Sequence, residues 1–134
     1  SLIKLTKFLI SKYKINKKNI LGHSDIAPER KKDPGEKFPW QYLSKKKIGY
    51  WHSLDQKILS KNRILKTNNL QKHLFYKNIY KIGYSKKIPL NLKHRKNDYL
   101  KKITKAFQRR FRPEIVNGKI DRECLIISHN LAKQ

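Results

Sequence analysis

With 134 residues, the chain has room for one ordinary domain or two small ones and cannot be a large enzyme. Its formal net charge of +25 raises nucleic-acid binding first, yet only 7 of its 34 basic residues are Arg, the side chain suited to bidentate phosphate and guanine contacts. The Lys residues are spread evenly among Ile and Asn and read as a solvated surface rather than a dedicated polyanion site, while a single Cys excludes an intramolecular disulfide and any multi-Cys metal site.

The opening SLIKLTKFLISKYK places Leu2, Leu5, Leu9 and Tyr13 at helical spacing, with Ile3, Phe8 and Ile10 widening the stripe and Lys4, Lys7 and Lys12 on the polar side. This predicts an amphipathic helix. The apolar run Ile20, Leu21, Gly22 predicts a short buried strand that delivers His23 to its C-terminal end, where open α/β sheets usually place ligands. Residues 22–40 then form a loop interrupted by Pro28, Pro34 and Pro39, and a short helix follows from Pro39 through Trp40 and Leu43. Residues 52–66 read as a connector with some helical content. Three helices follow, in NNLQKHLFYKN, NDYLKKITKAFQRRF and DRECLIISHNLAK. Their apolar stripe runs through Leu70, Leu74, Ile103, Phe107, Phe111, Leu125 and Leu131, with Leu100 extending the middle face. Asn97 or Asp98 can cap the middle helix, RPEIVNGK is the turn after it, and Cys124 reads as a small buried side chain. No apolar run approaches the ~18 residues that span a bilayer, and no signal-peptide pattern opens the chain.

The string GHSDIAPERKKDPGEKFPW, residues 22–40, departs from this Lys-rich background. Asp33 lies ten positions after His23, across a backbone stiffened by Pro and Gly. An imidazole nitrogen and a carboxylate oxygen that converge are both good zinc ligands, and Lys31 stands where its ammonium can meet a developing oxyanion. As bare spacing, the same residues more often make a capping or turn arrangement than a metal site.

The whole string goes further than the spacing. GHSDIAPERKKDPG strongly resembles the signature H-[SA]-D-I-A-P-x-R-K-x-D-P-G of the zinc-dependent N-acetylmuramoyl-L-alanine amidases of the AmpD/AmiD type. FPWQYLSKKKIGYW resembles its continuation in the AmiD-like branch. AFQRRFRPEIVNGKID, residues 106–121, is similar to the A-F-Q-x-x-F-R-P-x-x-x-N-G-x-x-D motif of the small peptidoglycan-binding domain of that branch. The resemblance implies that His23 and Asp33 are zinc ligands, that Lys31 is the catalytic Lys and that Arg30 reaches a substrate carboxylate. It implies hydrolysis of the amide between the lactyl group of N-acetylmuramic acid and L-alanine, with peptidoglycan or muropeptides as partners and the periplasm or cell envelope as location.

The family's third zinc ligand, a His, and its general-base Glu have no counterpart here, and His52, His73, His94 and His129 read as lone surface or core residues. The expectation is therefore the C-terminal half of an amidase, a truncated or partial chain of α+β class that is mostly helical as given. Residues 1–51 are expected to hold the last helix, strand and zinc loop of an α/β catalytic domain, 52–66 a connector, and 67–134 a three-helix peptidoglycan-binding domain. The alternatives are a non-catalytic wall-binding remnant and a basic nucleic-acid-binding protein.

Overall fold

A computed structural model describes residues 1–84 and 97–134. The described elements are α1 (Leu2–Tyr13), a 3₁₀ turn (Lys17–Asn19), α2 (His23–Ile26), α3 (Trp40–Lys45), α4 (Gln56–Asn62), α5 (Asn69–Ile82), α6 (Asn97–Phe111) and α7 (Arg122–Lys133). Among the described residues there is no strand beyond one isolated antiparallel bridge between Lys66 and Asp121, and none of their helices is long and apolar enough to cross a membrane. The strand expected at residues 20–22 is not formed. A single extended run has no neighbouring strand here to pair with, so Ile20 and Leu21 pass by in open conformation and His23 begins a helix instead of ending a strand.

α6 is the spine. Its last turns, from Ala106 to Phe111, are buried on every side together with Arg112. One side packs against α5 and α7 in a core of Phe75, Ile79, Phe107, Cys124, Ile127 and Leu131, closed by the perpendicular Phe75 and Phe107 rings at 5.1 Å. The other side meets α2 and α3, where Trp40, Leu43 and Ile48 form a smaller core that Ile3 and Ile10 of α1 partly cover. Trp51 packs against both cores.

Helix ends follow sequence chemistry. Asn68 and Gln71 make a reciprocal capping box at the start of α5, Gly83 closes it with a φ of 117°, and the Asp121 side chain accepts the Cys124 N–H at 2.9 Å. Asp98 sits in the first turn of α6 and pairs with Lys102. The turn after α6 is organised by Gln108, whose Oε1 accepts the N–H groups of Asn117 and Gly118 at 3.0 and 2.8 Å while its Nε2 donates to the Lys119 carbonyl. This explains Gln and Asn-Gly nine to ten positions apart. Beneath the turn, Arg112 donates to Asp121 and Glu123, and Glu123 also takes two bonds from Arg63.

One expected face is narrower than its stripe and another is rotated. α1 forms as predicted, but Leu2, Leu5 and Tyr13 are more than half exposed, because only its Ile3 and Ile10 edge meets the Trp40 core. On α5, Leu70 and Leu74 are exposed, and Phe75, Asn78 and Ile79 are the buried residues. Cys124 is fully buried, as expected.

Candidate active site

The loop of residues 22–40 is built by a close crossing of its two arms. A Cβ on Gly22 would lie 2.6 Å from the Pro34 ring and 3.4 Å from the Trp40 indole, so only glycine fits there. Two residues further on, the Ser24 N–H donates to the Asp33 carbonyl at 3.0 Å. Between the arms, the N–H groups of Arg30 and Lys31 both turn back onto the Ala27 carbonyl.

This crossing brings His23 and Asp33 together. Nδ1 of His23 lies 2.5 Å from Oδ2 of Asp33, with the two side chains 70% and 58% exposed, so the pair faces solvent. The hydrogen bond with His23 holds the Asp33 carboxyl below its ordinary range, and the charges of His23 and Lys31 act in the same direction. The Lys31 and Arg30 side chains are exposed and have no polar partner among the described residues, and of the two it is Lys31 whose charge acts on Asp33.

The underside of the loop is anchored by residues that sequence reasoning did not single out. Asp25 is buried, and its carboxylate accepts the Gly22 N–H at 2.9 Å, the Arg110 guanidinium at 2.6 Å and the Tyr84 hydroxyl at 2.5 Å. Arg110 also donates to the Ile20 carbonyl and stacks on Trp40, 3.9 Å from the ring centre. Burial, reinforced by the Asp25 charge, pushes the Tyr84 hydroxyl well above its ordinary range, and burial pushes neighbouring Tyr50 up to about 12. Both phenols therefore stay neutral hydrogen-bonding groups. The available signals were local: Asp25 is three positions after Gly22, the capping-box offset, and Arg110 is three positions after Phe107, on the buried face of its helix.

The donor set suits a zinc ion in type and convergence, and it stops at two. No group of three His, Cys, Asp or Glu residues that could hold a metal exists among the described residues, whereas a catalytic zinc takes three protein ligands. His52 is buried, not metal-directed: its Nδ1 accepts the Leu54 N–H at 3.3 Å. His73 and His129 are exposed and isolated from the loop, and His94 lies outside the described residues.

No family model matches the chain. It is 31% identical over all 134 residues to the N-acetylmuramoyl-L-alanine amidase AmiD of Escherichia coli strain K12, of which it covers 47%. The solved complex of Escherichia coli AmiD with anhydro-N-acetylmuramic acid-L-Ala-D-gamma-Glu-L-Lys superposes with a TM-score of 0.81 at 33% identity, over 98% of this chain and 49% of that one. Over its whole length the chain is thus similar to an AmiD-type N-acetylmuramoyl-L-alanine amidase. A shorter stretch of 39 residues, 29% of this chain and 21% of the relative, is 56% identical to the 1,6-anhydro-N-acetylmuramyl-L-alanine amidase AmpD of Enterobacter cloacae. The chain thus spans about half the length of AmiD and less of AmpD.

Proposed function

We propose that this chain supplies the zinc loop and a wall-binding unit of an N-acetylmuramoyl-L-alanine amidase that cleaves the lactyl–L-Ala amide of peptidoglycan or muropeptides in the cell envelope. The observation that carries this reading is the exposed His23–Asp33 pair, two zinc-type donors 2.5 Å apart on a loop whose backbone is tied down from beneath. In it, His23 and Asp33 hold the metal, and bound zinc would supply Lewis acidity to the amide carbonyl. Lys31 places a positive charge beside the oxygen on which negative charge develops, and Arg30 meets a substrate carboxylate. Residues 1–51 belong to the amidase unit and 67–134 to the peptidoglycan-binding unit, with 52–66 between them.

Two donors and one cation are fewer groups than amide hydrolysis by zinc requires. Residues 1–134 alone are therefore expected to bind zinc only weakly and to release no stem peptide from muramyl peptides. Fused to the N-terminal half of AmiD, they should give zinc-dependent hydrolysis. In that fusion Asp33→Ala should lose metal and activity together, and Lys31→Ala should keep the metal and lose rate by roughly 10²–10³. An active fusion indifferent to both substitutions would refute the assignment of the loop.

The alternative reading is a wall-binding protein without catalysis, and the packed core of α5, α6 and α7 is the observation it rests on. It predicts retention on purified peptidoglycan at salt that screens the Lys surface, and an inactive fusion.

A further inference from the structure

We propose that the cavity between residues 36–42, Trp51, His52, α4 and the end of α6 binds an uncharged sugar ring by its acetamido group, whose carbonyl accepts the His52 Nε2–H. The cavity encloses about 280 Å³. That is near the lower end for small-molecule pockets and suits one ring rather than an extended chain. Phe38, Tyr42 and Phe111 line it together with both Trp residues of the chain, Trp40 and Trp51. Aromatic walls with a few polar groups between them fit a ring that has apolar C–H faces and polar edges. His23, Arg30, Lys31 and Asp33 are not in the lining.

His52 separates this cavity from an ordinary surface hollow. The residue is 7% exposed, and its Nδ1 accepts the Leu54 N–H at 3.3 Å, which leaves the proton of the neutral ring on Nε2. Nε2 has no partner among the described residues, and it is not one of their fully covered unpartnered atoms, which are Nε1 of Trp51, Nε of Arg110 and Nη2 of Arg112. It is therefore a donor that opens on the cavity. Trp51, with its ring centre 5.0 Å from that of His52, adds a covered indole N–H that also lacks an acceptor. Two neighbouring donors without acceptors are unfavourable, and an entering carbonyl relieves that cost. Glu123 cannot serve them, because Arg63 and Arg112 engage both its oxygens. A hydroxyl at this point would bring a proton that needs its own acceptor, whereas an amide carbonyl only accepts and its methyl group packs on the rings. The charge of the lining selects further: Glu36, Glu114 and Glu123 outnumber Lys37 and Arg110 in a chain of net +25, so an anionic polymer or an acidic peptide is disfavoured. The inference rests on the amidase reading for the source of the sugar, the N-acetylated glycan of peptidoglycan.

The test uses residues 1–134 with methyl N-acetyl-β-glucosaminide as probe, read by the fluorescence of the two cavity Trp residues and by the ring resonances of His52. Saturation with a dissociation constant of roughly 1 mM is expected for a ligand of this size. Tyr42→Ser, at a half-exposed position on the rim, should weaken binding by roughly two- to tenfold. His52→Phe should weaken it by roughly three- to tenfold. Tyr13→Ser, on the exposed side of α1 and outside the cavity, should leave it unchanged. Methyl β-glucoside, with a hydroxyl in place of the acetamido group, should bind roughly tenfold more weakly. If circular dichroism shows His52→Phe unfolded, Tyr42→Ser, the glucoside and the shift of the His52 resonances in the parent chain decide. Absence of saturation, equal affinity for the two glycosides or unchanged affinity in Tyr42→Ser overturns the proposal. So does tighter competition by the peptide L-Ala-D-γ-Glu-L-Lys, which would make the cavity a peptide site. A saturable sugar response in a chain whose AmiD fusion is inactive supports the site and removes the amidase reading, whereas an active fusion without a sugar response overturns this inference alone.

Discussion

A methyl group at position 22 would be a small change in mass and a large one in geometry. The neighbour it meets at 2.6 Å is the Pro34 ring, which cannot swing aside as the tip of a long side chain would, so the two arms of the loop must part. Gly22→Ala is expected to cost about 1–3 kcal/mol, the usual penalty of overpacking, and to lower zinc affinity because His23 and Asp33 are the next residues along each arm. Thermal melts and calorimetric zinc titration check this together; a variant that melts and binds like the parent would mean that the crossing does not set the pair. That His23 and Asp33 converge was legible in the sequence, because His and Asp ten positions apart across a Pro- and Gly-rich loop stand out in so Lys- and Ile-rich a chain. The residues that hold the loop in place were not legible in the same way. Asp25 has the look of one more polar loop residue, and only the fold reveals that it is buried against a cation 85 positions away.

At the scale of elements, that contact is what joins the loop to the helical core. Asp25 and Arg110 are 5% and 2% exposed at the side chain, and removing one member leaves the other charged and buried without its counter-ion. Asp25→Leu and Arg110→Leu should each destabilise by about 3–5 kcal/mol, whereas the double variant should recover much of that loss, since a buried ion pair replaced by apolar groups is often close to neutral. Denaturant melts of the four chains measure the coupling, and additive losses would show that the two side chains act separately. The helices α1, α3, α5, α6 and α7 were readable from periodicity and caps, but the buried face of α5 was not, and neither was which edge of the broad α1 stripe would be covered. Leu2, Leu5 and Leu9 make as good a stripe as Ile3 and Ile10, and Leu70 and Leu74 as good a start as Phe75 and Ile79. Periodicity gives the period of a helix, while its neighbours choose the face. The strand at residues 20–22 failed for a related reason, since a short apolar run does not say whether it has a partner.

Across the whole molecule, charge is the dominant feature, and a net +25 makes acid the condition under which the fold is most exposed. His52 supplies a specific sensor for it. The residue is buried beside Trp51, and its Nδ1 accepts the Leu54 N–H, a bond that requires that nitrogen to be free of a proton. Burial, only partly opposed by the Glu123 charge, pushes its pKa down to about 4 from the ordinary 6.5. The unfolded chain therefore takes up this proton near pH 6.5, while the folded chain resists until about pH 4. Between those values the unfolded state binds more protons, so the stabilisation is present above pH 6.5 and is lost as the pH falls through the window. The loss by pH 4 should be about 2–3 kcal/mol, or roughly 6–12 °C in Tm for a chain of this size. Gln at position 52 can keep an acceptor for the Leu54 N–H and has no proton to gain, so His52→Gln should flatten the acid limb of the Tm profile relative to the parent. Melts at pH 7, 5.5 and 4 decide it: parallel profiles for the two chains would place the acid sensitivity elsewhere.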